Sequence, residues 1–176
     1  MKKVIFPKIG LRMVKSVLAV FICFMIDSLR SGSVPFYSAI AAILCMQPDV
    51  HGSKKVAINR TIGTLIGGFY GMLAIMIFKQ FNLYSNLYLE YTVVSITILP
   101  LIYITVLLKK HKATYITCVV YLSVVISHAG DVSPYLFAMN RIVDTLIGIF
   151  VSLGINAIPF LQKKSEEEKE LVGQEE

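Results

Sequence analysis

Charge is in short supply in this sequence. Asp, Glu, Lys and Arg make up only 16% of the residues, against 56% hydrophobic residues and a mean hydropathy of +0.70. A water-soluble domain carries about a quarter charged residues. The shortage excludes an ordinary soluble domain and points to an all-α, polytopic membrane protein whose first partner is the lipid bilayer. Cysteine is also scarce. Cys23, Cys45 and Cys118 lie far apart in apolar segments without CxxC spacing, so neither a disulfide framework nor a metal site is supported, and they read as small packing residues. Catalytic signatures are missing too: there is no Ser-His-acid pattern, no HExxH, no phosphate loop and no pair of catalytic carboxylates. No enzyme activity, metal or cofactor is expected.

The charges that are present are placed with a strong bias. A net charge of +6 would suit nucleic acid, but the cations fall in clusters between apolar blocks, which argues for membrane topology instead. Of 17 Lys and Arg residues, all but Arg30, Lys79 and Arg141 belong to four clusters: Lys2 to Lys15, Lys54 to Arg60, Lys109 to Lys112, and Lys163 to Lys169. Placing those clusters inside leaves almost no cation outside and gives one orientation, with both termini cytoplasmic. No small-residue cleavage site follows the first apolar block, so it reads as a retained span and not a signal peptide.

Six spans follow from the apolar blocks. Span 1 covers about Gly10 to Leu29, with Lys8, Arg12 and Lys15 expected to snorkel to headgroups. Span 2, Pro35 to Gln47, is roughly 20 Å of helix against a hydrocarbon core of about 30 Å, too short to cross comfortably. Ser53 is the expected N-cap of span 3, from Lys54 to about Phe78. Span 4 runs from about Leu87 to Leu108 through Pro100, a site of kinking. Span 5, Ala113 to His128, is again short. Ser133 and Pro134 open span 6, which runs to about Leu161. Residues 1–161 thus form the membrane domain, and 162–176 a charged cytoplasmic tail.

Two arginines sit inside this apolar framework in related settings. Asn59-Arg60-Thr61-Ile62-Gly63-Thr64-Leu65-Ile66-Gly67 is matched at six of nine positions by Asn140-Arg141-Ile142-Val143-Asp144-Thr145-Leu146-Ile147-Gly148. Each copy lies on the long third span of a half that also has a short second span and an Asp-Val turn. With three spans per half, the second half (about 86–161) must be inserted upside down relative to the first (about 8–79). Such inverted repeats mark many secondary transporters, and short segments in corresponding positions point to a central site.

The candidate residues follow from that plan. Arg60, toward the inside, and Arg141, toward the outside, with Asn59 and Asn140 beside them, lie near helix N-termini that favour an anion, and each guanidinium suits a carboxylate. The plainer alternatives are that Arg60 snorkels and that Arg141 is tied to Asp144 three residues on. Asp27 and Asp144 are the acids placed to take up a proton and couple transport to a gradient; the alternative is an ion pair of each with Arg30 and Arg141. Gly63, Gly67 and Gly71 repeat every four residues, and Gly148 lies on a small, more polar face with Asp144, Ser152 and Asn156. These stripes suit close helix packing, holding spans 3 and 6 together, within one chain or across a dimer.

Together, Gly10-Leu11-Arg12-x-x-Lys15-Ser16, Pro35-Phe36-Tyr37-Ser38-Ala39-Ile40-Ala41-Ala42, Met46-Gln47-Pro48 and the Asn59 to Gly68 block resemble the aromatic acid exporter family of bacterial membrane proteins, within the wider fusaric acid resistance group. That resemblance covers nearly all of the membrane portion. It implies a six-span plasma-membrane unit, a homo-oligomer, exporting aromatic carboxylates such as hydroxybenzoates on the proton gradient. Plant malate-type anion channels are similar in plan, so an anion channel stays open as an alternative, as does a non-transporting scaffold or accessory subunit. Many members of the family carry a cytoplasmic helical domain after the last span; here the sequence stops at Glu176, which leaves functions that need that domain without support.

Overall fold

A computed structural model of the chain describes residues 10–81, 86–128 and 134–158. Within them lie six helices: α1 (Leu11–Ser28), α2 (Pro35–Cys45), α3 (Val50–Gln80), α4 (Leu87–Leu107), α5 (His111–His128) and α6 (Pro134–Asn156). Three are long and apolar enough to cross a bilayer: α3, α4 and α6 from Tyr135 onward. Large apolar side chains stand exposed along the bundle, Val17 at 70%, Leu99 at 73% and Phe150 at 70%. Contiguous exposure of that kind belongs to a surface that faces lipid.

Local chemistry sets the helix ends. Pro35 opens α2 at a first-turn position, where its missing N–H costs nothing. The α3 helix starts a turn earlier than Ser53 suggests. Asp49 is its N-cap, accepting from the Gly52 N–H at 2.6 Å, which releases the Ser53 hydroxyl for contacts described below. Asn86 caps α4 by accepting from the Tyr88 N–H. At the other end of α4, Lys109 takes a left-handed conformation (φ 54). There the Lys110 N–H bonds the Thr105 carbonyl and the Lys109 N–H bonds that of Val106, the double closure that ends many helices. Pro100 lies inside α4 on an exposed stretch. The expected Ser133 cap, the end of span 6 beyond Ile158 and the tail 162–176 lie outside the described residues.

The packing exchanges the short helices between the two halves of the sequence. The most extensive contacts of α2 are with α6, and those of α5 are with α3; α1 packs on α2 and α6, and α4 on α5. One apolar core therefore joins α3, α4 and α5 around Ile75, Leu101, Val120, Tyr121 and Val124. A second joins α1, α2 and α6 around Ala19, Cys23, Ala42, Met46 and Ile155. The two sets meet along a seam between α3 and α6. There Ser53 touches Asn156, and a methyl built on Gly68 would lie 3.0 Å from Ile142. Residue numbers rise on one helix as they fall on the other, so α3 and α6 are antiparallel and Thr64 lies opposite Thr145.

The glycine stripe serves a different contact from the one expected. Methyl groups built on Gly63 and Gly67 would lie 2.0 Å from Ile116 and 2.4 Å from the Thr117 carbonyl oxygen, and one on Gly71 would press on Val124. All three neighbours belong to α5, so this face seats α5 and not α6. Gly148 does the equivalent for α2, with the Ser38 carbonyl oxygen 2.1 Å from its would-be methyl. The close approach the stripe predicts is present, but it joins each long helix to a short helix of the other half.

Candidate functional site

Arg60 and Arg141 are both buried, at 5% and 4% exposure. With α3 beginning at Val50, Arg60 lies about 15 Å along the helix. The row Ser53, Ala57, Arg60, Thr64, Gly68 is the face of α3 that meets α6. Arg60 has Cys45 and Tyr115 as the groups acting on its charge. Its Nε has no hydrogen-bond partner, and among the described residues it makes no ion pair. Asn59 beside it is half-buried.

Arg141 lies over the face of Tyr37, its guanidinium carbon 3.4 Å from the ring centroid, a cation–π contact. Its Nε and Nη1 have no hydrogen-bond partner. Its electrostatic surroundings are Tyr37, Arg60 and Asp144, so the two arginines lie within range of each other. Tyr37 lies in the first turn of α2 and Cys45 is its last residue, so these neighbours of the two guanidiniums are about 12 Å apart along that short helix.

The acids are partnered, though not as the neighbouring sequence suggests. Asp144, fully buried, accepts from Arg30 and from the Val34 N–H at 3.1 Å, so its ion pair is with Arg30 and not Arg141. Asp27 accepts from Ser38 through Oδ2, while its Oδ1 is buried without a partner. Asn140 donates to the Gly32 carbonyl at 3.0 Å, holding the α1–α2 turn, where Gly32 has φ 76, against α6. The Asn of the second copy thereby has a structural contact of its own.

Three groups of residues were missed by sequence reasoning. At the far end of the bundle Lys15 is buried and donates to Asn156 at 3.1 Å, where snorkelling was expected. Asn156 in turn donates to Ser53 Oγ and the Gln47 carbonyl, and Arg12 donates to the Met46 carbonyl at 2.9 Å. Along the seam, the Thr64 and Ser152 hydroxyls are buried without a hydrogen-bond partner. Their signal was present: Thr64 is one turn from Arg60, and Ser152 belongs to the small polar face of α6. The third is Arg30, first weighed as a partner for Asp27.

Two surface clefts of about 570 and 450 Å³ lie along the exposed face of α1, lined by residues such as Met13, Val17, Val20 and Phe21. Neither includes Arg60 or Arg141, and their apolar lining suits lipid chains.

No solved structure matches this chain. The UPF0421 protein YgaE of Bacillus subtilis (strain 168) is 26% identical over 160 residues, which cover 90% of this chain but 42% of that protein. The chain thus spans less than half the length of this curated relative. The family model described as fusaric acid resistance protein-like matches residues 17–155, from the middle of α1 almost to the end of α6. With the helical bundle, the lipid-facing apolar surface and this match in agreement, the chain belongs to the fusaric acid resistance protein-like family of membrane proteins.

Proposed function

We propose that the protein exports small aromatic or other organic carboxylic acids across a bacterial plasma membrane, drawing on the proton gradient. The observation that carries this reading is Arg60: a buried cation with an unpartnered N–H, no carboxylate paired with it among the described residues, and a second buried arginine in electrostatic range. A buried charge is costly unless paired. An organic anion entering the seam would supply the missing partner, and two cations along its path would give it successive places to bind. Asp27, with one carboxylate oxygen unpartnered, is the acid best placed to carry the coupling proton.

The membrane arrangement belongs to the same proposal: six spans as two inverted three-helix repeats, both termini cytoplasmic, assembled as a homo-oligomer. The reciprocal packing of α2 on α6 and α5 on α3 supports the repeat, since a two-fold relation between halves exchanges these contacts. An anion channel is the second reading. It is favoured by the engagement of Asp144 with Arg30, which leaves one acid fewer to move protons. Efflux of labelled hydroxybenzoate from loaded cells tests the proposal. Loss of efflux on deletion and in Arg60→Ala at normal expression is expected, and unchanged efflux in both overturns it. Flux that persists after the proton gradient is collapsed selects the channel.

A further inference from the structure

Arg60 Nε, Thr64 Oγ1 and Ser152 Oγ are three hydrogen-bond donors at 5%, 1% and 0% residue exposure, none with an acceptor. Unsatisfied buried polar groups are rare in native structures, and each asks for an explanation. Helix geometry brings these three toward one point. Arg60 and Thr64 are one turn apart on the α3 face that meets α6. The pairings of Ser53 with Asn156 and Gly68 with Ile142 place Ser152 opposite Ala57 and Arg60 opposite Ile149. Side chains on a helix tilt toward its N-terminus. On antiparallel helices Arg60 therefore leans toward the level of Ser152, Ser152 leans toward the level of Arg60, and Thr64 leans toward Arg60. Cys45, Ala57 and Ile149 form the apolar wall beside them, where α2, α3 and α6 meet.

We propose that Arg60, Thr64 and Ser152 form a binding site for one small monovalent anion, a halide or the carboxylate head of an organic acid. Charge balance sets the valence. Among the described residues Arg60 makes no ion pair, whereas Asp144 already has Arg30 as its partner, so the site itself holds one unpaired positive charge. A single monovalent anion neutralises the group, whereas a divalent one would bury an excess charge against an apolar wall. The site is built once. Thr145, the counterpart of Thr64, donates its hydroxyl to the Arg141 carbonyl at 3.0 Å, and Gly71 stands where the second half has Ser152. The halide arm is independent of the transport reading; the carboxylate arm rests on it, since that head would belong to the exported acid.

Equilibrium binding of labelled chloride and of labelled benzoate to the purified full chain in detergent, with sodium sulfate as background, tests the site. Saturable binding of either ion is expected in the wild type, weakened about tenfold or more in Thr64→Val and in Ser152→Ala, because each removes one hydrogen bond to a charged group. Thermal unfolding of both variants without ligand should stay near wild type, which separates lost binding from lost fold. Benzoate without chloride identifies a carboxylate site, and chloride without benzoate an ion site. Binding of neither, or binding indifferent to both substitutions, overturns the proposal. Hydroxybenzoate export in cells alongside absent binding would remove the site and leave the transport reading standing; binding without export would do the reverse.

Discussion

Arg30, in the turn after α1, donates to Asp144 of α6, a residue 114 positions further along the chain. Asp144 is fully buried and Arg30 about a quarter exposed. Removing one member of such a pair leaves the other charge uncompensated. Arg30→Ala and Asp144→Ala should each lower stability by about 1 to 3 kcal/mol, below the range for a fully buried pair because Arg30 meets solvent. The double variant should lose less than the sum. A double-mutant cycle on thermal or denaturant unfolding in detergent checks this, and strict additivity would rule out the pair as a stabilising contact.

The glycines allow a comparison within one protein. Gly67→Ala and Gly148→Ala put a methyl 2.4 and 2.1 Å from backbone carbonyl oxygens of α5 and α2, so the helices must separate, at a cost of about 1 to 3 kcal/mol or more. Gly154→Ala meets nothing within 4 Å. It should be neutral or stabilise α6 by about 0.5 to 1 kcal/mol. Unfolding midpoints should fall below the wild type for Gly67→Ala and Gly148→Ala, and at or above it for Gly154→Ala.

Tyr37 gives the Arg141 guanidinium its ring face. Tyr37→Phe keeps the face and should change stability little, whereas Tyr37→Leu should lose roughly 0.5 to 2 kcal/mol. If Phe and Leu behave alike, the contact carries no energy of its own.

Asn156 uses both ends of its amide, accepting from Lys15 and donating to Ser53 and Gln47. Asn156→Ala should destabilise by about 1 to 3 kcal/mol. Asn156→Leu, close in size but apolar, should do no better, which would show that the loss comes from the hydrogen bonds and not from volume.

Single cysteines at Ser31 and Lys110, both exposed, report orientation in a background with the native cysteines replaced. An impermeant maleimide added to intact cells should label Ser31→Cys and spare Lys110→Cys until the membrane is opened, as the distribution of cations requires. The opposite pattern would invert the topology.

Much of this architecture could be read from residue order. The bounds of α2, α4 and α5 follow from Pro35, Asn86 and the Lys109 cluster, and the burial of both arginines from their place within apolar helices. Pairing could not be read. Charges three residues apart on a helix look like partners, but α2 and the turn before it pack on α6, and that contact between halves gives Asp144 to Arg30. Lys15 shows the same principle: nothing near it in sequence announces Asn156, so a snorkelling lysine is the natural expectation. The spacing of Gly63, Gly67 and Gly71 tells which face of α3 is smooth but is silent on which helix fills it. Asp49 and Ser53 are both good caps, and Gly52 is harmless in a first turn, so only the observed bond to the Gly52 N–H chooses between them.

The exchange of short helices has a consequence for biosynthesis. When the ribosome has released α1 to α3, the eleven residues of α2 amount to about 16 Å of helix and their main packing surface, α6, does not yet exist. Completing this fold must therefore wait for the last helix, and a gene cut between α3 and α4 should yield two fragments that accumulate only when made together.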